Sequence, residues 1–351
     1  MFFYLFLVVP GWVLTESVEH TFHNGKIKVD LICESKDSVC DGFKETVKHV
    51  AKLLENALSL KEEIYAKVEV GHNSYMDKKG YGLATTYVGN DRNEFTPGTI
   101  IPRALCNQIG SCKPTYYDFI VCVNQNQPFY FASDFGKNEV GSSAIDTLAH
   151  EFIHGLGFLD CFSENSCSAN LVPFFITRRV HIQNTTVFKF YANSFVEHIY
   201  TKDDVKLTSL IDLYIEKEPF PVGSPSRWKV QPTEYHLGIA KKIEALATTK
   251  GGLYFKTLNG NKVILDTDGE YDFYSSVFHL DQMYNETREA LMTKDLRLAK
   301  GIHNMEADGW LTSPFGPLTL EILETMGYQL NPKPIYEDSL IGLKEKMKSS
   351  S

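Results

Sequence analysis

Apolar residues change their spacing several times along this chain, and each change marks an element. From Thr21 to Cys33 they alternate with polar residues, which predicts a strand or hairpin. Phe43 to Leu60 instead carries Val47, Val50, Ala51, Leu54 and Leu58 at helical intervals. Ile64 to Val70 returns to alternation and reads as a strand. The stretch from Gly80 to Gly98 is glycine-rich. Tyr117 to Val123 is apolar enough for a buried strand, and Asn124 to Asp134 is irregular and aromatic.

The strongest helical pattern follows. Ile145, Leu148, Ala149, Phe152, Ile153 and Leu156 recur at the spacing of one helix face. Ser143 can cap this helix, with Asp146 three residues on, and Gly155 and Gly157 can end it. Residues 161–235 hold Pro173, Pro219, Pro221 and Pro225 and read as a loop-rich insertion. Beyond them, Ile239 to Thr248 is expected to be a helix. Leu253–Phe255 and Lys262–Leu265 should be strands joined around Asn259-Gly260, and Leu318 to Met326 a last helix. Strands and helices in this order predict an α+β fold with a mixed sheet. The expected divisions are 1–17 as a leader, 18–160 as an N-terminal subdomain, 161–235 as the insertion and 236–351 as a smaller C-terminal subdomain.

The leader is the apolar run Phe2–Leu14, followed by polar Thr15-Glu16-Ser17. It is too short to span a bilayer and suits a signal peptide cleaved after Ser17. No other stretch is long and apolar enough to span, so a secreted, extracellular protein is expected. Cysteine usage agrees with export. Cys33 with Cys40, Cys106 with Cys112, and Cys161 with Cys167 are candidate disulfides, and Cys122, in an apolar run, is the candidate free thiol. Asn184-Thr185-Thr186 and Asn285-Glu286-Thr287 are glycosylation acceptors. A net charge of -9 argues against nucleic acid as a partner, since phosphate contacts need a basic surface.

The candidate chemistry sits on the central helix, in His150-Glu151-Phe152-Ile153-His154. Histidines four apart share a face, so both imidazoles can bind one zinc ion. Glu151 between them is badly placed as a ligand but can take a proton from zinc-activated water. A helix with two surface histidines would carry the same five residues, so the pattern needs its context. His20, His23, His49, His72, His181, His198 and His236 lack ligand spacing.

The longer segment from His150 to Phe158, with Gly155 and Gly157, resembles the active-site helix of the metzincin metallopeptidases, and in particular the leishmanolysin-like group. The resemblance implies a zincin fold with an active-site helix and a smaller C-terminal subdomain. It also implies a third ligand and a methionine turn beneath the metal. Two residues compete for the ligand position. Asp160 matches the compact metzincin spacing; His279, far downstream, matches the leishmanolysin-like one and is favoured. His303 is a weaker alternative. Met292, in Glu289-Ala290-Leu291-Met292-Thr293, resembles the turn methionine, although Thr293-Lys294 stands where a proline is usual. Tyr274 and Tyr284 flank His279 and are candidates to bind an oxyanion.

The implied function is that of a secreted zinc metalloendopeptidase acting on protein or peptide substrates, with Glu151 as general base and His150, His154 and His279 as ligands. The alternatives are an inactive relative that retains zinc, and a zinc hydrolase acting on a non-peptide amide or ester.

Overall fold

The computed structural model describes residues 3–4, 18–34, 38–71, 81–90, 98–110, 117–134, 141–159, 162–164, 173–182, 185–210, 234–272, 275–294 and 315–332. The strands in chain order are β1 (Phe3–Tyr4), β2 (Val18–Asn24), β3 (Ile27–Cys33), β4 (Ile64–Gly71), β5 (Tyr81–Asn90), β6 (Gly98–Pro102), β7 (Phe119–Asn124), β8 (Phe129–Tyr130), β9 (Ser142–Ser143), β10 (Phe162–Glu164), β11 (Pro173–Ile182), β12 (Thr185–Asn193), β13 (Ile199–Thr201), β14 (Leu253–Lys256) and β15 (Lys262–Ile264). The helices are α1 (Ser38–Ala57), α2 (Arg103–Gln108), α3 (Ala144–Gly155), α4 (Glu234–Ala247) and α5 (Pro317–Met326). Helices and mixed sheets thus occur together, as the α+β reading expects. The chain divides into two compact units.

The first unit comprises residues 1–88, 102–158 and 283–351. Its sheet runs in the order β5-β7-β4-β3-β2. β3, β4 and β7 are parallel neighbours, while β2 pairs antiparallel with β3 and β5 pairs antiparallel with β7. The parallel step from β3 to β4 needs a crossover, and α1 provides it. Phe43, Val47, Val50 and Leu54 of α1 are buried, as are Val29, Leu31, Val68 and Val121 of the strands, so helix and sheet share one core. The helix begins at Ser38, five residues before the periodicity announces it, and Cys40 in its first turn is bonded to Cys33 at the end of β3.

The expected Cys33–Cys40 disulfide is therefore present, and Cys122 is a buried free thiol. Cys112, Cys161, Cys167 and the acceptor Asn184 lie outside the described residues. So does most of the leader, although Phe3–Tyr4 pairs antiparallel with Tyr87 and Thr86 of β5. Among the described residues, no helix is long and apolar enough to cross a membrane.

The end of the first unit is stitched to α1. Asn331 donates its Nδ2–H to the carbonyls of Glu55, Asn56 and Leu58 at 3.0–3.1 Å. These carbonyls have no acceptor role inside the helix, so the asparagine serves as a C-terminal cap. A second buried junction centres on Asp118. Its carboxylate accepts from Tyr65 N–H at 2.8 Å and Asn107 Nδ2–H at 3.0 Å and lies 3.3 Å from Arg103 Nε. α2 is thereby fixed to the start of β7.

The second unit comprises residues 89–101 and 159–282. β10, β11 and β12 form an antiparallel set, and β12 pairs parallel with β6. The stretch read as a loop-rich insertion is thus largely strand where it is described. Likewise β5 occupies much of the glycine-rich stretch of the first unit. A smaller sheet joins β13, β14 and β15. The β14–β15 turn falls at Gly260, where φ is 82°; glycine reaches that left-handed region without steric cost.

Candidate metal centre

Local sequence builds α3 as expected. Ser143 Oγ accepts from Asp146 N–H at 3.2 Å, satisfying one donor of the first turn. The helix stops at two glycines that cannot be replaced freely. A Cβ on Gly155 would press into the Phe119 ring, and one on Gly157, whose φ is 105°, would overlap Pro102 Cγ. The structure departs from the amphipathic reading in one respect, because every residue of α3 is buried, the His–Glu face included. Two histidines on a solvent face are therefore not what this helix carries.

His150 Nδ1 lies 2.6 Å from Leu291 O, His154 Nδ1 2.6 Å from Phe158 O, and His279 Nδ1 2.8 Å from Ser275 O. A carbonyl can only accept, so each Nδ1 carries the proton and each Nε2 carries the lone pair. The Nε2 atoms of His150 and His154 are 2.9 Å apart in a buried setting. Two lone pairs at that separation repel unless a cation stands between them. His150, His154 and His279 each offer a ligand atom, all within 4.8 Å of one another. Nitrogens about 2.0–2.1 Å from one zinc ion in a tetrahedral array would sit roughly 3.3 Å apart, which falls inside that range. The donor set fits a metal ion.

Burial also keeps His150 in the neutral form that a metal needs, holding its pKa at about 4. Glu151 is buried too, and burial pushes its carboxyl up to about 8. The free thiol of Cys122 is pushed up to about 12, first by burial and then by the charge of Glu69, which marks it as unreactive.

Met292 is fully buried in a 3-10 turn, Ala290–Met292, and that turn packs against α3. The carbonyl that fixes His150 belongs to the residue just before it, Leu291. Thr293, standing where proline was expected, closes the turn by donating its hydroxyl to Ala290 O at 2.8 Å. His279 is held by backbone on both sides. Its carbonyl accepts from Asp266 N–H at 2.8 Å, and Val277 N–H donates to Asp266 O at 2.9 Å. Val277 itself has φ of 77°, an uncommon conformation for a β-branched residue.

Asp160, His303 and Tyr274 lie outside the described residues. Tyr284 lies half-buried in the 3-10 turn Gln282–Tyr284. His23 is exposed beside Glu63, and the His198 ring lies tilted against that of Phe255. The carbonyls of Leu291, Phe158 and Ser275 were not anticipated, since a backbone oxygen has no sequence signature. Glu289, within the methionine segment, is buried and linked to α5.

Fold and site together define a mixed helix-and-sheet protein with a buried three-histidine centre competent to bind a metal ion. A family model described as SPBPB7E8-like matches residues 8–198, more than half of the sequence, and the chain belongs to that family. The matched span holds His150, Glu151 and His154, while His279 and Met292 lie beyond it. No curated protein and no solved structure matches the chain.

Proposed function

We propose that this chain is an exported zinc-dependent endopeptidase with a metzincin-like fold, nearest in kind to the leishmanolysin-like group. The observation that carries the reading is the buried triad His150, His154 and His279, with Glu151 following His150 on α3. Three neutral imidazoles suit zinc, and the outer carbonyls orient them as second-sphere partners do at metal sites. The mixed sheet of the first unit and the turn of Met292 beside α3 support the same architecture.

When bound, zinc supplies Lewis acidity, polarising a carbonyl and lowering the pKa of water toward about 7. The proton is handled by Glu151. In its carboxylate form it accepts a proton from the attacking water and returns it to the amine nitrogen as the C–N bond breaks. His150, His154 and His279 stay neutral and hold position through their Nδ1–H donors. A site that kept zinc only for structure would have no use for the buried acid Glu151, which weighs against an inactive relative. The apolar leader and the Cys33–Cys40 disulfide support export, since such bonds persist in oxidising compartments.

Glu151→Gln tests the reading, with zinc content and casein cleavage measured on the same sample. Zinc should stay bound while cleavage falls by about 10²–10⁴-fold. Unchanged cleavage with zinc bound would refute the assignment. Cleavage of esters or small amides, but not of casein, would move the substrate to another class.

A further inference from the structure

We propose that Glu289 is a positioning residue for the metal centre: its buried carboxylate clamps the 290–292 turn to the start of α5 and so fixes the Leu291 carbonyl that sets the His150 tautomer. The inference rests on the metal-centre reading above. Glu289 Oε1 accepts from Leu318 N–H at 2.9 Å, and Oε2 accepts from Thr319 N–H at 2.9 Å and Thr319 Oγ1–H at 3.0 Å. The carboxylate lies so close to the backbone at Gly316 that a Cβ there would overlap Oε2. Its fit to the helix start is therefore built into both partners.

The backbone of the same residue holds the turn. Met292 N–H donates to Glu289 O at 3.1 Å, and Glu289 N–H donates to Thr287 Oγ1 at 3.2 Å. Thr293 closes the far side through its N–H and its hydroxyl, both donated to Ala290 O. Leu291 O, inside this braced turn, lies 2.6 Å from His150 Nδ1 and ties the turn to α3. A cap serving α5 alone could come from a Ser, Thr or Asp at the residue before the helix. Here that position is Gly316, and the acceptor comes from 29–30 residues upstream. The arrangement couples the last helix to the orientation of a metal ligand.

Removing a partner that orients a ligand costs roughly 10–100-fold in metal affinity. The test compares wild type, Glu289→Ala, Glu289→Gln and Ile322→Ala. The last removes a buried α5 side chain that takes no part in the clamp, so it loosens the helix without touching Glu289. Two quantities are read: the imidazole ¹⁵N signals of metal-free protein, with His150 assigned from a His150→Gln spectrum, and Co²⁺ affinity from its visible absorption. Wild type and Ile322→Ala should hold His150 as the Nδ1–H form. Glu289→Ala should give a mixture of tautomers and bind Co²⁺ roughly 10–100-fold more weakly. Glu289→Gln, which keeps one acceptor oxygen, should shift the same way by less, and it carries the comparison if the alanine variant does not fold. The proposal is overturned if the glutamate variants keep the wild-type tautomer and affinity, or if Ile322→Ala lowers affinity equally. Should wild type take up no Co²⁺ or Zn²⁺, the metal reading fails, and the tautomer alone decides the role of Glu289.

Discussion

His150 and His154 face each other through Nε2 atoms 2.9 Å apart, while both Nδ1–H groups are committed to backbone carbonyls. Neither nitrogen of the facing pair can donate to the other. Two buried acceptor nitrogens facing each other in this way suit a bound cation. Metal removal should lower stability. At free Zn²⁺ about 100 times its Kd, binding adds about 2.7 kcal/mol, or roughly 4 °C in Tm for a chain of this size. Thermal unfolding with chelator, then with Zn²⁺ restored, measures the difference. Identical melting curves in the two states would remove the metal from the account.

The third ligand is decided by comparing His279→Ala with Asp160→Asn. His279 sits with its Nδ1–H on Ser275 O and its backbone pinned to Asp266, so its Nε2 lone pair is pre-oriented before any ion arrives. Losing a ligand should cost more than losing an outer partner, whose loss is worth roughly 10–100-fold. His279→Ala is thus expected to lower Zn²⁺ affinity by more than about 100-fold, and Asp160→Asn to leave it near wild type. Competition with a chromophoric chelator reads both. The reverse ranking would transfer the role to Asp160.

What was legible in the sequence was local. The α3 helix, its Ser143 cap and its glycine stop follow from spacing and cap chemistry within a dozen residues. So do the β2–β3 hairpin and the β14–β15 turn. What escaped depends on distant partners. β5 lies in a glycine-rich stretch, and its strand form comes from pairing with β7. β11 and β12 sit where prolines suggested loops, and they stabilise each other as a hairpin. α1 starts earlier than its apolar period, where Cys40 bonds to Cys33. At the site, the ligating side chains could be named in advance, but the carbonyls of Leu291, Phe158 and Ser275 could not, because only the folded backbone aims them.

Gly157 gives a test of how tightly the end of α3 is built. Its φ of 105° disfavours any other residue, and an added Cβ would overlap Pro102 Cγ. Its N–H also donates to His154 O at 2.8 Å. Gly157→Ala combines backbone strain with overpacking and should cost about 2–4 kcal/mol. Because Phe158 O, the acceptor for His154, is the next residue, zinc affinity should fall as well. Urea unfolding and a zinc titration on one preparation would show whether the two losses come together. A stable variant with intact zinc binding would mean that the turn is adaptable and does not set the ligand.

His49, on the inner part of α1, gives the clearest dependence on pH away from the site. Its Nε2 is buried and has no hydrogen-bond partner among the described residues. Burial first, and the charge of Lys52 second, lower its pKa to about 4 from 6.5. The unfolded chain therefore binds this proton more readily than the folded one at every pH between those values. Stability from the neutral ring is complete above about pH 6.5 and is lost as pH falls toward about 4. By pH 5 the loss should reach about 2 kcal/mol. Asp118 works in the opposite sense. Burial raises its carboxyl to about 6 in spite of Arg103, so the folded state gains from its protonation over a similar window. A wild-type curve alone would blend the two effects, and the difference between variants separates them. His49→Leu keeps an apolar volume without a titrating nitrogen and leaves Asp118 in place. Urea unfolding near pH 8 and near pH 5 should show wild type losing about 2 kcal/mol more than His49→Leu. Equal losses would mean that His49 protonates in the folded protein as readily as in the unfolded chain.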